Sequence, residues 1–391
     1  RTHNGLRALL TMMSDKVFAF DAKRIFRNLT GLGNYSRLVV EQLAAALPEV
    51  RMQLFTPTST AVERASSLLN MSNVETVLPD SMMFGKAFWR SFGMTRQLSA
   101  GRPALYHGLS NELPLNIVNS GVPSVVTIHD LIYRRLPYCY KAIDRRLYDF
   151  KYRRACENAT RIIAVSRRTR DDIVEFYNID PEKIDVVYQG CDESFRRHIP
   201  ADIIENCRRR YNLPRRYIIQ VGTVERRKNL ELTVKALAAL DSELHLVAVG
   251  RDHYGYMSHI KELINRLRLN DRVTFLQNLP FVDLPAVVAG AEVAAYPSRY
   301  EGFGIPVLEA LSVGVPVVAA NGSCLEEAGG YATLYVDPND VRAMIQALTA
   351  LTDGSVDRAD IIARGQKHAR LFDNSAMADN ILKVYSKIID L

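Results

Sequence analysis

Long apolar runs are missing from this sequence. Nothing in it approaches the ~20 consecutive apolar residues that span a bilayer. The longest runs, such as Val313 to Ala320, are broken by Gly314 and Pro316 and have the length of buried strands. No membrane-crossing helix is expected. Cysteine is sparse and unpatterned: Cys139, Cys156, Cys191, Cys207 and Cys324 are odd in number, scattered, and never spaced Cys-x-x-Cys. That speaks against a disulfide scaffold or a zinc site, and for reduced, buried thiols in a cytoplasmic setting. Arg1 to Lys16 shows no charged-then-apolar-then-small order, so no secretory signal is expected. Internal repeats, low-complexity tracts and long linkers are absent too. So are an Asp-x-Asp step and any His, Cys, Asp or Glu cluster at metal-ligand spacing; no cofactor and no metal is expected.

What is present is the composition of a globular protein. Hydrophobic residues make up 48% and charged residues 24% of 391 positions, enough for two domains with a core each. The formal net charge of +7 is unevenly placed, because residues 1–198 carry 28 Lys and Arg against 20 Asp and Glu. Between Arg134 and Arg170, 12 basic residues meet only Asp144, Asp149 and Glu157. A patch like this suits an anionic partner, and a solvated helix face accounts for it as well. Within it, Lys141 to Arg154 places Ile143, Leu147 and Phe150 at helical spacing beside Arg145, Arg146, Lys151, Arg153 and Arg154. Such a segment could dock on anionic lipid.

Apolar, β-branched runs alternate with helical patterns along the chain, which reads as α/β with parallel sheets. In the first half the expected strands are Val17–Phe20, Met52–Phe55, Ala104–Tyr106, Ser124–Ile128, Arg161–Val165 and Ile184–Val187. After an irregular, charged stretch from Asp192 to Pro200 come Tyr217–Val221, Leu244–Val249, Val273–Phe275, Val293–Tyr296 and Val317–Ala319. Two domains are expected, 1–198 and 199–371. The last helical stretch, Ser375 to Leu391, could pack on either core; we assign it, from about 372 to 391, to the first. Doubly wound sheets bind ligands outside the carboxyl ends of their strands, so a cleft between two such sheets is the expected active site.

The segment Tyr296-Pro-Ser-Arg-Tyr-Glu-Gly-Phe-Gly-Ile-Pro-Val-Leu-Glu-Ala-Leu carries the most chemistry. A strand runs into a glycine-containing loop, and a helix opens at about Pro306, where a missing N–H costs nothing. Gly314 and Pro316 close that helix. The free amides and dipole of its first turn make an anion site over Gly304, Ile305, Val307 and Leu308. Glu301 and Glu309 flank this site. A carboxylate suits sugar hydroxyls rather than a diphosphate, so Glu301 is read as facing a transferred sugar and Glu309 as holding a ribose diol. A bare pair of glutamates would also fit solvated loop and helix charges.

This segment resembles the signature of glycosyltransferase family 4, the retaining, nucleotide-sugar-dependent enzymes of the GT-B fold, whose two glutamates with seven residues between them match Glu301 and Glu309. Gly-Val-Pro-Val-Val at 314–318, Glu-Glu-Ala-Gly-Gly at 326–330 and Val-Asp-Pro-Asn-Asp at 336–340 continue the resemblance. His129-Asp130 and Ile163-Ala-Val-Ser-Arg extend it into the first half, so that it covers the chain from about Val17 onward. The resemblance implies an α/β fold of two doubly wound Rossmann-like domains facing across a cleft, the second holding the donor and the first the acceptor. By the same resemblance, Arg227 and Lys228 in Val221-Gly-Thr-Val-Glu-Arg-Arg-Lys-Asn grip the donor's diphosphate, with Gly222, Gly302 and Phe303 completing the donor site. Fixed cations there would stabilise the charge that develops on the leaving group. Arg226 stands where the family often has proline. His129 is implied to lie against the donor sugar, and chemistry on one face of the sugar, with the leaving phosphate taking the acceptor's proton, makes no general base of it. Gly31 and Gly33, before a helix expected near Tyr35, match the family's glycine loop for phosphate or acceptor; as residues alone they fit a tight turn equally. Gln189-Gly190 departs from the family's Asn-Gly.

The leading reading is therefore a glycosyltransferase that uses a nucleotide-sugar, first choice GDP-mannose, and a glycan or lipid-linked acceptor in polysaccharide biosynthesis. An anionic membrane surface would be a further partner through 134–170, and nucleic acid would not. The alternatives are a non-hydrolysing nucleotide-sugar epimerase of the same fold and an inactive binding subunit.

Overall fold

A computed structural model describes residues 16–81 and 84–389; the absence of a secretory signal was read from residues that lie almost wholly outside this range. The chain divides into two compact units. One runs to Gln189 and is completed by the segment from Asn374 onward; the other is Gly190–Asp373.

The first unit is built on β1 (Val17–Asp21), β2 (Arg51–Phe55), β3 (Val74–Val77), β4 (Leu105–Gly108), β5 (Ser124–Ile128), β6 (Arg161–Ala164) and β7 (Ile184–Val186). All pairs are parallel, in the order β3-β2-β1-β4-β5-β6-β7. The second unit holds β8 (Tyr217–Val221), β9 (His245–Val249), β10 (Val273–Leu276), β11 (Val293–Tyr296), β12 (Val317–Ala320) and β13 (Leu334–Val336). They too are parallel, ordered β10-β9-β8-β11-β12-β13. Each unit is thus an α/β, doubly wound Rossmann-like sheet. Its strand order reverses at one point, between β1 and β4 in the first and between β8 and β11 in the second.

Strands covered on both faces must be apolar throughout. Accordingly β5 and β11 are buried at every position. The two strands that the apolar pattern did not mark, β3 and β13, are edge strands: β3 is half exposed and carries Glu75 and Thr76, and β13 has only three residues. All five cysteines are free, four of them buried and Cys139 half-buried. Gly31 does not precede a helix that begins near Tyr35. It starts one, Gly31–Ala46, because the Asn28 side chain caps the turn by accepting from the Thr30 and Gly33 amides.

The helix Asn374–Tyr385 packs on the first unit. Met377, Ala378, Ile381 and Leu382 lie in one core with Val39, Val40 and Leu43 of the Gly31–Ala46 helix and with Phe18 and Phe20 of β1. Its last residue enters a buried polar chain. The Tyr385 hydroxyl stands 2.7 Å from His107 Nδ1, His107 Nε2 lies 2.8 Å from Thr127 Oγ1, and Thr127 Oγ1 lies 3.2 Å from the Tyr35 hydroxyl. Burial, with the neighbouring His129, pushes the His107 pKa down to about 3. Replacing Tyr385 by Phe strands a buried ring nitrogen. We expect it to lower unfolding free energy by about 1–3 kcal/mol in denaturant titration, with little change in the midpoint slope.

Candidate active site

The candidate donor site assembles where the second sheet reverses, from the loops that follow β8 and β11. After β8 the backbone turns through Gly222, whose φ of +145° is open only to glycine. A Cβ there would stand 3.4 Å from Lys228 Cε. The loop then forms a short turn, Arg226–Lys228, and Asn229, with φ of +56°, starts the helix Leu230–Leu237. Asn229 ties three loops together by donating to the carbonyls of Pro297 and Pro338 at 3.0 and 2.8 Å. Below the turn, Gln220 donates to the Lys228 carbonyl at 2.9 Å and accepts from Thr233 at 2.7 Å. The Arg299 amide donates to the Arg227 carbonyl at 2.9 Å.

These bonds leave the loops' side chains facing one another. Arg227 Nη1 donates to Glu301 Oε2 at 2.7 Å and to the Tyr300 carbonyl at 2.9 Å, while its Nη2 donates to Glu225 at 2.6 Å. Lys228 Nζ reaches the other oxygen, Glu301 Oε1, at 2.6 Å. Glu301 is only 12% exposed. Burial pushes its pKa up, but the Arg227 and Lys228 charges overcome that and hold the carboxyl at about 2. The carboxylate is ionised and shared by two cations, and a bound anion would draw on both. Sequence reasoning named these three residues. It missed Glu225, Asn229, Ser298, which also bonds to Glu301, and Cys324, whose thiol donates to the Glu301 carbonyl at 3.0 Å. Only Glu225, abutting the basic triplet, left a signal in the sequence.

The β11 loop ends at Gly304, with φ of +121°. A Cβ there would lie 2.9 Å from Leu325 Cδ2, so glycine serves both the turn and the packing. Ile305 opens the helix Ile305–Ser312, and Pro306 has no N–H. The amides of Val307 and Leu308 bond back to the Gly304 carbonyl, and both side chains are fully buried. In this conformation they shape the turn rather than present donors. The amide side of the anion site therefore narrows to Gly304 and Ile305, the first of which can approach a ligand without a side chain. Gly302 is half-buried. Phe303 is buried, its ring 5.6 Å from that of Phe372, and it serves as packing beneath the loop. Glu309 is 8% exposed rather than a solvated helix charge. Burial raises the Tyr296 pKa, and Glu309 raises it further, which places the carboxylate close to the end of β11. Arg226 is exposed.

In the first unit His129 follows β5 and is buried. Its Nε2 lies 2.9 Å from the Leu109 carbonyl, its Nδ1 3.1 Å from Gln189 Nε2, and its ring meets the Tyr35 ring edge-on at 4.7 Å. Burial lowers its pKa to about 4; the Leu109 bond works against this and the Arg24 charge with it. Of the glycines, Gly33 is needed for packing, since a Cβ would stand 2.0 Å from the Asn28 carbonyl oxygen. Gly31 meets nothing within 4 Å.

The basic stretch 134–170 is less open than its sequence implies. Arg134, Arg135, Lys151, Arg154, Arg161 and Arg168 are paired with carboxylates. On the helix Ala142–Asn158, however, Ile143, Leu147 and Phe150 are exposed. A second apolar element was not read from the sequence. Phe84, Phe88 and Phe92 lie exposed on successive turns, ring centroids 5.0 and 5.3 Å apart. Among the described residues, no helix is long and apolar enough to cross a membrane.

Residues 30–195 match the family described as Glycosyltransferase Family 4, and residues 204–368 the family described as Glycosyl transferases group 1. The O-antigen chain mannosyltransferase B of Escherichia coli is 29% identical over 358 residues, which cover 88% of this chain and 92% of that one. Among solved structures, sucrose-phosphate synthase from Thermosynechococcus elongatus matches with a TM-score of 0.77 at 20% identity, over 96% of this chain and 99% of that one. Anabaena HepE in complex with UDP-glucose matches with a TM-score of 0.74 at 19% identity, over 95% and 99%. The fold is that of the GT-B glycosyltransferases.

The cluster predicts its own titration. Because Glu301 is held below its ordinary value, it contributes stability that is complete above pH ~4.5 and is lost as pH falls toward 2. Arg227→Met removes one of the two cations, and the Glu301 carboxyl should then titrate closer to the ordinary range. A pH series of carboxyl carbon NMR shifts on wild type and variant measures this directly.

Proposed function

The chain belongs to glycosyltransferase family 4, and we propose that it transfers a hexose, with retention at the anomeric carbon, from a nucleotide-sugar to a glycan or lipid-linked acceptor during polysaccharide biosynthesis. Mannose from GDP-mannose is the first-choice donor, supported by the likeness to an O-antigen mannosyltransferase. One observation carries the reading: Arg227 and Lys228 converge on Glu301 at the switch point of the second sheet.

In this reading the donor's diphosphate lies against Arg227, Lys228 and the Gly304 turn, and takes over hydrogen bonds that now end on Glu301. The bond from the anomeric carbon to the phosphate oxygen breaks, and the acceptor hydroxyl adds on the same face. Its proton passes to the departing phosphate. The two cations neutralise the charge as it forms, and they are aimed beforehand by Gln220, Asn229 and Glu225, so little reorganisation is required. Charge compensation comes from side chains, with no metal invoked. Glu301 is left to accept from hydroxyls of the transferred sugar, Glu309 from the ribose, and His129 has a supporting part in sugar recognition. The first unit serves the acceptor.

An anionic membrane at the cytoplasmic face is the second partner. Residues 81–111 contain Lys86, Arg90, Arg96 and Arg102 and no acidic residue. They carry the exposed Phe84, Phe88 and Phe92. Arg90 and Lys151 both face Glu112, so this element borders the helix that exposes Ile143, Leu147 and Phe150. Arg90 is held by Asp21 and Glu112, and apolar rings beside Lys86, Arg96 and Arg102 suit the interface of an anionic bilayer.

A panel of nucleotide-sugars tested by thermal shift should single out one donor, since a ligand at 100 times its dissociation constant adds ~2.7 kcal/mol. With that donor, wild type should transfer sugar and release it slowly to water, while Glu301→Ala and Lys228→Ala should abolish both without changing the far-UV spectrum. Unaltered activity in those variants would sink the assignment. Vesicles containing anionic lipid should pellet wild-type protein at low salt, and Phe88→Ser together with Leu147→Ser should leave it in the supernatant. Equal sedimentation with and without anionic lipid would remove the membrane partner.

A further inference from the structure

His129 is one of the most constrained side chains in the first unit, and the residue that completes the constraint is Gln189. A carbonyl oxygen only accepts, so the contact with Leu109 requires the ring proton on Nε2. A neutral imidazole then has a bare lone pair on Nδ1, and the Gln189 amide donates to it at 3.1 Å. Both groups are shut away from water, at 4% exposure for Gln189 and 7% for His129. Neither ring bond can therefore be replaced cheaply by solvent.

The rest of the surroundings fix the ring's position without offering it a counter-charge. The His129 amide donates to Asn111 Oδ1 at 2.6 Å, and the Thr169 hydroxyl donates to the His129 carbonyl at 3.3 Å. Tyr35 from the Gly31–Ala46 helix closes one side. The charged and titratable neighbours are Arg24, from the short helix Lys23–Arg27, and His107 from β4. Adjacent Asp130 accepts from the Ile132 amide. No carboxylate bonds to the ring among the described residues.

We propose that Gln189 is a positioning residue that locks His129 as the neutral Nε2–H tautomer. This gives a physical role to the position at which the chain departs from the Asn-Gly of its family. A glutamine carries one methylene more than asparagine and reaches further from the same backbone position. Gln189 is also the last residue of the first unit, next to Gly190, the first of the second. The chain thus leaves the first unit anchored on the ring of His129. The importance of that ring for transfer rests on the function proposed above; the lock itself does not.

The test is selective 15N-histidine NMR on the full chain, with His129 assigned by its loss in His129→Gln. Wild type should show the proton on Nε2 and stay neutral from pH 8 to about 5, well below an ordinary histidine at ~6.5. Gln189→Met, close in shape but without a donor, should keep the proton on Nε2, move the Nδ1 resonance downfield to that of an unbonded ring nitrogen, and lower kcat by about tenfold with KM little changed. Gln189→Glu offers Nδ1 an acceptor, so His129 should become doubly protonated near pH 7. Its transfer rate should then be low at neutral pH and recover as pH rises. A wild-type ring protonated on Nδ1, or titrating at the ordinary value, overturns the proposal, as does a Gln189→Met variant whose spectrum matches wild type. Should Gln189→Glu fail to fold, the wild-type and Gln189→Met spectra decide alone. A locked ring in a chain that transfers no sugar would refute the function and leave this inference standing.

Discussion

The arrangement of the second unit depends on one carboxylate being shared by two cations. Glu301 is nearly buried, and a buried carboxylate without partners would take up a proton. Arg227 and Lys228 keep it ionised. In return Glu301 keeps two long, flexible side chains in one place before any ligand arrives. Most of the hydrogen bonds around them, from Gln220, Asn229, Glu225 and the Arg299 amide, hold the backbone or the side chains of this triad at the chosen geometry. Such pairs add little to net stability, because desolvation offsets most of the attraction. Their value lies in a preset field at the carboxyl ends of β8 and β11, where a doubly wound sheet has room for a ligand.

The first unit handles polarity in a different way. Around its two buried histidines the polar residues form neutral chains, from Tyr385 through His107 and Thr127 to Tyr35, and from Leu109 through His129 to Gln189. Burial drives both histidines to the uncharged state, so hydrogen bonds rather than ion pairs determine their orientation. The C-terminal helix is part of this system, which gives a segment remote in sequence a structural hold on residues at the ends of β4 and β5.

Much of the architecture could be read from residue order. Buried parallel strands must be apolar on both faces, so β5, β8 and β11 stood out with their observed bounds. Edge strands escape that requirement, and β3 and β13 gave no run to find. Glu301, Arg227 and Lys228 could be named because a resemblance covered their motifs. Their mutual contact could not, since 73 or more positions separate the partners. The stripe Phe84, Phe88 and Phe92 went unread for a related reason: helical spacing of aromatics looks the same whether the face is buried or exposed.

Local order along the chain determined the alternation of strands and helices, the glycines that permit positive φ at Gly222 and Gly304, the excess of positive charge in residues 1–198, and the family. These follow from interactions between near neighbours or from composition. Tertiary structure alone decided which amides of the Gly304 turn are already used, that Glu309 is buried, that cations such as Arg134, Arg135 and Arg161 are paired with carboxylates, and that Gln189 meets His129. Each of these depends on whether groups distant in sequence come within hydrogen-bonding distance and on whether water can reach them. Neither quantity exists until the sheets have formed.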